Sequence, residues 1–197
     1  MNEIINAMLK RRSYRKFKQE QIKNEELEQI IEAGLWAPSA GGRQSPVMLV
    51  CQNAEVNNLM GKINRMAFGA ANSDGIHFVS KNQMSIADDD TIKSGFYNAP
   101  TVITLFAPER WLYGIHDCST AAENMMLAAW SLGIGSCFIS RSEETFDTEE
   151  GKLLKKEYDI PEYYKARVSV VFGYPDGTIS DAKVRHDNRV KWIHEDD

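Results

Sequence analysis

Between Asp117 and Leu132 the chain carries almost nothing but small and apolar side chains: Ala121, Ala122, Met125, Met126, Leu127, Ala128, Ala129 and Leu132. A helix apolar on all sides has no face to give to water, so it must be a central element around which the rest is built. Gly133 stops it. The 197 residues make one domain, 1–197, and such a chain has too few amphipathic elements to cover that helix on every side. A second copy of the chain is therefore expected to share the task, as a homodimer. The tail points the same way. Val184, Val190, Trp192 and Ile193 lie beyond the last strand, and apolar residues at a terminus need a surface to dock on.

Around that helix the pattern alternates. Ile4, Ile5, Met8 and Leu9 predict a short helix over 3–10; Leu27, Ile30, Ile31 and Leu35 predict a second, capped by Asn24 and ended near Ala37 by Pro38. Val47–Cys51, Thr101–Phe106, Ser136–Ile139 and Arg167–Phe172 read as strands, and 55–66 and 149–158 as helices. From Phe68 to Lys93 the periodicity dissolves, so 68–95 is expected to be a lid or surface excursion. The reading is one α/β or α+β domain of roughly four strands among about five helices.

Charge and cysteine use exclude several classes. The net charge is −5, which argues against nucleic acid as the main partner. No apolar stretch approaches the ~20 residues of a membrane span, and Met1–Lys10 lacks a secretory apolar core. Cys51, Cys118 and Cys137 form an odd set without Cys-x-x-Cys spacing, so no disulfide framework or zinc site is suggested, and a reducing, cytoplasmic setting is expected. His77, His116, His186 and His194 show no metal-ligand spacing. Asp88–Asp90 read as a solvated turn. Cys118 beside His116 reads as a buried structural cysteine rather than a nucleophile.

Three segments stand out. Lys10, Arg11, Arg12, Arg15, Lys16 and Lys18 place six cations within nine residues without an acid among them. This is a solvated basic turn, a nucleic-acid or membrane patch, or an anion site; the guanidinium forks and Ser13 suit a phosphate monoester. Pro38-Ser39-Ala40-Gly41-Gly42-Arg43-Gln44 is a helix-ending loop stripped of bulk, where backbone can approach a flat ligand. It is not a P-loop, because no strand precedes it and no Gly-Lys-Ser/Thr follows. Gly133-Ile134-Gly135 lies between a helix and a strand, the reverse of a dinucleotide fingerprint. A phosphate anchor, a bare loop and no evident catalytic side chain fit chemistry supplied by a bound phosphorylated cofactor.

In this order Arg11–Phe17, Ala33–Gly41, Asp117–Ala129, Leu132–Cys137 and Phe172–Pro175 resemble the FMN-dependent nitroreductase family. The resemblance spans about residues 4–193. It implies an α+β fold, a three-layer α/β/α sandwich around a mixed, mainly antiparallel sheet, in a homodimer with exchanged terminal segments. It implies FMN at the dimer interface, NADH or NADPH as donor, and a small-molecule electron acceptor such as a nitroaromatic or quinone. Arg11, Arg12 and Ser13 would hold the phosphate and ribityl chain, completed by Lys183 and Arg185. Arg15 would stabilise the negative charge that builds at flavin N1 and O2 on reduction, and no side chain need act as acid or base. Pro38, Ser39, Ala40 and Gly41 would come from the partner chain, while Ile139, Ser140 and Arg141 would offer backbone groups to N5 and O4. Many members have Asn where this chain has Gly42, which leaves Gln44 as the nearest side-chain donor, and no family-like polar ligand is evident within 55–95. The rivals are a same-fold flavoenzyme of other chemistry (dehalogenation or flavin breakdown) and a non-catalytic anion- or RNA-binding module.

Overall fold

The computed structural model describes residues 2–70, 81–179 and 181–193. The 71–80 part of the expected lid, with His77, and His194 in the tail lie outside the described residues. In chain order the elements are α1 (Glu3–Lys10), α2 (Asn24–Leu35), β1 (Val47–Cys51), α3 (Ala54–Ala70), β2 (Thr101–Pro108), α4 (Gly114–Ser131), β3 (Gly135–Ile139), α5 (Ser142–Phe146), α6 (Glu149–Glu157) and β4 (Tyr164–Gly173).

The strands form one sheet in the order β1-β2-β4-β3, and every named pair is antiparallel. Among the described residues the mixed character expected of the sheet is confined to one parallel bridge, Ser13 to Ser136. β2 is buried nearly throughout, because it has a strand on each side and apolar layers on both faces. On one face Ile103, Leu105, Val168, Val170 and Phe172 pack with Met125 and Ala129 of α4 and Ile30 of α2. On the other, Val102, Phe106, Val171 and Cys137 pack with Met60 and Ile63 of α3 and Phe146 of α5. Two cores about one sheet make the three layers.

α4 is covered on one stripe only. Asp117, Cys118, Ala121, Ala122, Met125, Met126 and Ala129 are buried, whereas Ile115 is half exposed. Gly133, at φ +74°, ends it in the left-handed region that glycine enters without strain. Asn24 is not the cap of α2. Lys23 occupies the extended cap position, and Glu26 reaches back to accept its N–H at 3.1 Å. No helix among the described residues is long and apolar enough to cross a membrane.

Candidate functional site

The basic segment leaves α1 and runs along the open edge of the sheet. Tyr14 N–H donates to the Ser136 carbonyl at 2.9 Å, Lys18 N–H to Tyr174 O at 3.0 Å, and Asp176 N–H back to Lys16 O at 3.0 Å. Residues 11–18 are thereby set between β3 and the root of the tail that carries Lys183 and Arg185. The approach is close: a Cβ on Gly135 would stand 2.9 Å from Tyr14 Cβ and Cγ.

What holds the guanidinium groups decides what they can do. Arg12 Nη1 donates to the carbonyls of Leu9 at 2.8 Å and Arg11 at 2.5 Å, capping the end of α1. Arg15 Nη1 donates to the Gln83 carbonyl at 3.0 Å, and its guanidinium carbon lies 5.8 Å from the centre of the Tyr97 ring. These partners are neutral. Among the described residues only Arg11 of the three has an acid nearby, with Nε 3.5 Å from Glu123 Oε1 on α4. Moreover, Nε of Arg11 and Nε of Arg15 are buried donors with no hydrogen bond, a state that costs about 1–3 kcal/mol per group. The charges of Arg12 and Arg15 are held by carbonyls, with the buried Nε of Arg15 still to be satisfied, and that arrangement suits an anion.

Pro38–Gln44 is anchored elsewhere, on α4. Asp117, only 3% exposed, accepts from Ala40 N–H at 2.9 Å on Oδ1, and from Ser45 O–H at 2.6 Å and Trp111 Nε1–H at 2.9 Å on Oδ2. Burial alone would raise its pKa, but those three hydrogen bonds outweigh it and hold the carboxyl below its ordinary range. Ser39 Oγ accepts from Gln44 N–H at 2.8 Å. Gly41 and Gly42 sit at φ +62° and +65° with nothing within 4 Å of a Cβ position, so they present bare backbone to open space. The left-handed conformation explains Gly42, since Gly and Asn are the residues that tolerate it. Pro38, Ser39 and Gln44 line a 340 Å³ cleft with Trp36, Met48 and Asp117.

Ile139, Ser140 and Arg141 end β3. Arg141 turns left-handed at φ +65°, and buried Asn64 of α3 donates to the Ser140 carbonyl at 2.8 Å and the Arg141 carbonyl at 3.4 Å.

The structure thus gathers Arg11, Arg12, Ser13, Arg15 and the root of the Lys183/Arg185 tail at one edge. Ile139–Arg141 lie at the far end of the adjoining strand, and the 38–44 loop is on a separate anchor. Among the described residues no hydrogen bond joins that loop to 11–15. Sequence reasoning missed Asn64, Gln83 and the role of Asp117, whose partners are remote along the chain. Cys118 is no nucleophile: burial pushes its thiol up to about 12.

The model of the family described as "Nitroreductase family" matches residues 8–174. A protein provisionally named NADH dehydrogenase/NAD(P)H nitroreductase from Archaeoglobus fulgidus is 28% identical over 89% of this chain and 87% of its own length. The NADPH-flavin oxidoreductase of Vibrio harveyi is 27% identical over 89% of this chain and 67% of its own. A solved Bacteroides fragilis nitroreductase with bound FMN superimposes with a TM-score of 0.81 at 26% identity, covering 98% of this chain and all of that one.

Proposed function

The chain belongs to the nitroreductase family, and on that premise we propose that it is an FMN-dependent NAD(P)H oxidoreductase. The observation that carries the reading is the guanidinium cluster: Arg12 and Arg15 are tied to carbonyls, and two buried Nε donors are unsatisfied. A phosphate monoester would supply an anionic partner to Arg12 and Arg15, which have only neutral ones among the described residues, while Arg11 also faces Glu123. FMN fits that donor set, and when bound it supplies hydride chemistry between NAD(P)H and an electron-poor acceptor such as a nitroaromatic or quinone.

The residues then divide the work. Arg11, Arg12 and Ser13, with Lys183 and Arg185, hold the phosphate end. Arg15 places a fixed cation at the ring system, where it favours added negative charge. Ile139, Ser140 and Arg141 offer backbone N–H groups at the other end of β3. None of these residues needs to give or take a proton, so the protein's part is placement, exclusion of water and charge compensation.

The functional unit is a homodimer. Ile4, Met8 and Leu9 on α1, Trp36 after α2, and Val184, Trp192 and Ile193 of the tail are largely exposed in one chain, a set of apolar surfaces at both ends of the sequence that a twofold interface would bury. The 38–41 loop, separately anchored and bare, would complete the flavin site of the partner. Flavin released by heat from the purified protein and run on HPLC tests the cofactor: FMN is expected, and FAD alone, or no flavin after reconstitution, refutes it. Sedimentation tests the assembly: a 22.3 kDa monomer retaining FMN and full turnover refutes the shared site.

A further inference from the structure

Gln83 is completely buried in an irregular stretch, and none of the roles above uses it. Its Oε1 accepts from Arg15 N–H at 2.6 Å and Lys16 N–H at 3.0 Å. Its Nε2 donates to the carbonyls of Asp176 at 3.3 Å and Thr178 at 3.1 Å. Its own carbonyl accepts from Arg15 Nη1 at 3.0 Å. A glutamine amide has two lone pairs and two N–H groups, and here all four are engaged. One side chain therefore ties together the basic segment, the stretch after residue 80 and the root of the tail. Ser85, Ile86, Ser94 and Phe96 are buried as well, whereas Lys81, Asn82, Asp90, Thr91 and Lys93 between and before them are exposed.

Arg15 is braced at two points by the same residue. Its backbone N–H is held by the Gln83 side chain and its guanidinium by the Gln83 carbonyl, which leaves the buried Nε as the unsatisfied donor. Gln83, together with the Tyr97 ring 5.8 Å from the guanidinium carbon, holds the side chain that carries that donor. Loss of the side-chain amide would strand two N–H groups at Arg15 and Lys16 and two carbonyls at the tail, and the segment would have to move to resatisfy them.

The geometry points to Gln83 as a positioning residue of the cofactor site: it aims Arg15 and fixes the root of the tail, so flavin affinity and flavin potential both depend on it, the potential through Arg15. The inference rests on the FMN reading above. The test uses Gln83→Met, which keeps the length of the side chain and removes its hydrogen bonds. FMN is titrated into the apoprotein by fluorescence quenching, and the midpoint potential of the loaded protein is measured. Affinity should fall about tenfold or more, the scale of one well-made hydrogen bond. Arg15→Gln, which removes the cation that favours added negative charge, should lower the potential, and Gln83→Met should lower it too, by about 30 mV for a tenfold shift in a two-electron equilibrium. In the Arg15→Gln background, Gln83→Met should lower the potential no further, because both act through one group. A role confined to stability would leave the potential alone.

An unchanged potential in Gln83→Met, or a full additional fall in the double variant, overturns the proposal. Where Gln83→Met does not fold, Gln83→Glu carries the test. Its carboxylate keeps the acceptor toward Arg15 and Lys16 but sets an oxygen against the Asp176 and Thr178 carbonyls. FMN affinity should be weak at neutral pH and recover in acid, where the protonated carboxyl donates again; a pH response identical to that of the wild type overturns the proposal. Wild-type protein that takes up no FMN defeats the FMN reading and this one together. Wild-type uptake with indistinguishable variants defeats this one only.

Discussion

Asp117→Asn should destabilise the protein strongly at neutral pH and hardly at all in acid. Three donors converge on the carboxylate: Ala40 N–H on Oδ1, and Ser45 O–H and Trp111 Nε1–H on Oδ2. A hydrogen bond to a charged acceptor contributes ~1.5–3 kcal/mol, and to a neutral one ~0.5–1.5 kcal/mol. An amide accepts on one side only, so its NH2 group must face either Ala40 N–H or Trp111 Nε1–H, and one buried donor loses its partner at about 1–3 kcal/mol. The net loss is about 2–4 kcal/mol, or roughly 5–15 °C in Tm for a chain of this size. The pH dependence follows from the lowered pKa. Because the folded carboxyl titrates below its ordinary value of 3.8, its contribution is complete above that value and is lost as pH falls through the folded pKa. Thermal melts of both proteins by circular dichroism, from neutral pH into acid well below the ordinary carboxyl value of 3.8, read the gap directly. Equal Tm at neutral pH, or a gap that stays constant into acid, would refute the reasoning.

Arg12→Ala should weaken FMN binding at least tenfold, and, because Arg12 also holds the Leu9 and Arg11 carbonyls, lower stability by about 1 kcal/mol; an unchanged FMN titration removes Arg12 from the phosphate site. Gly151→Ala should lower the urea midpoint by the equivalent of about 2 kcal/mol or more. Its Cβ would lie 2.4 Å from Phe146 Cα and 2.7 Å from Phe146 O, backbone atoms that cannot yield, and a wild-type midpoint contradicts this. Cys118, with its thiol pushed up to about 12, should resist iodoacetamide at about pH 8 in the folded protein and react only after denaturation; peptide mapping that finds it alkylated in the native state refutes that.

The elements legible in the sequence are those whose reason is local. Thr101–Phe106 announces itself by β-branched and apolar residues and is the heart of Thr101–Pro108; the small, apolar run after Asp117 becomes α4. α5 was not legible, because Ser-Glu-Glu-Thr-Phe has too few residues to show a period. It is held by tertiary contacts, Phe146 edge-on to Phe106 at 5.0 Å and Asn64 Nδ2 donating to Thr145 Oγ1 at 2.9 Å. The cap of α2 was misplaced by one residue because Asn24 has the cap-forming side chain, while Glu26 serves Lys23 from within the helix. At the candidate site the same division holds. The basic run is conspicuous against an acidic chain, but Gln83, Asn64 and Asp117 are single polar residues whose partners lie up to 95 positions away, and no spacing rule reaches that far.

The strand order also dictates when the sheet can come into being. β4 is the last of the described strands in the chain, yet it lies inside the sheet, between β2 and β3. Val47 of β1 is registered with Phe106, Thr101 of β2 with Phe172, and Gly135 of β3 with Gly173, so no pairing is a tight hairpin that could close on its own. During synthesis β2 emerges with only the short β1 beside it, and its main partner does not exist until Tyr164–Gly173 has been made. Folding of the sheet must therefore await nearly the whole chain, and such long loop closures make it slow and leave an apolar strand edge exposed meanwhile. A chain cut before residue 164 loses the middle of its sheet rather than a margin, leaving the β1–β2 pair and a lone β3 with nothing to join them.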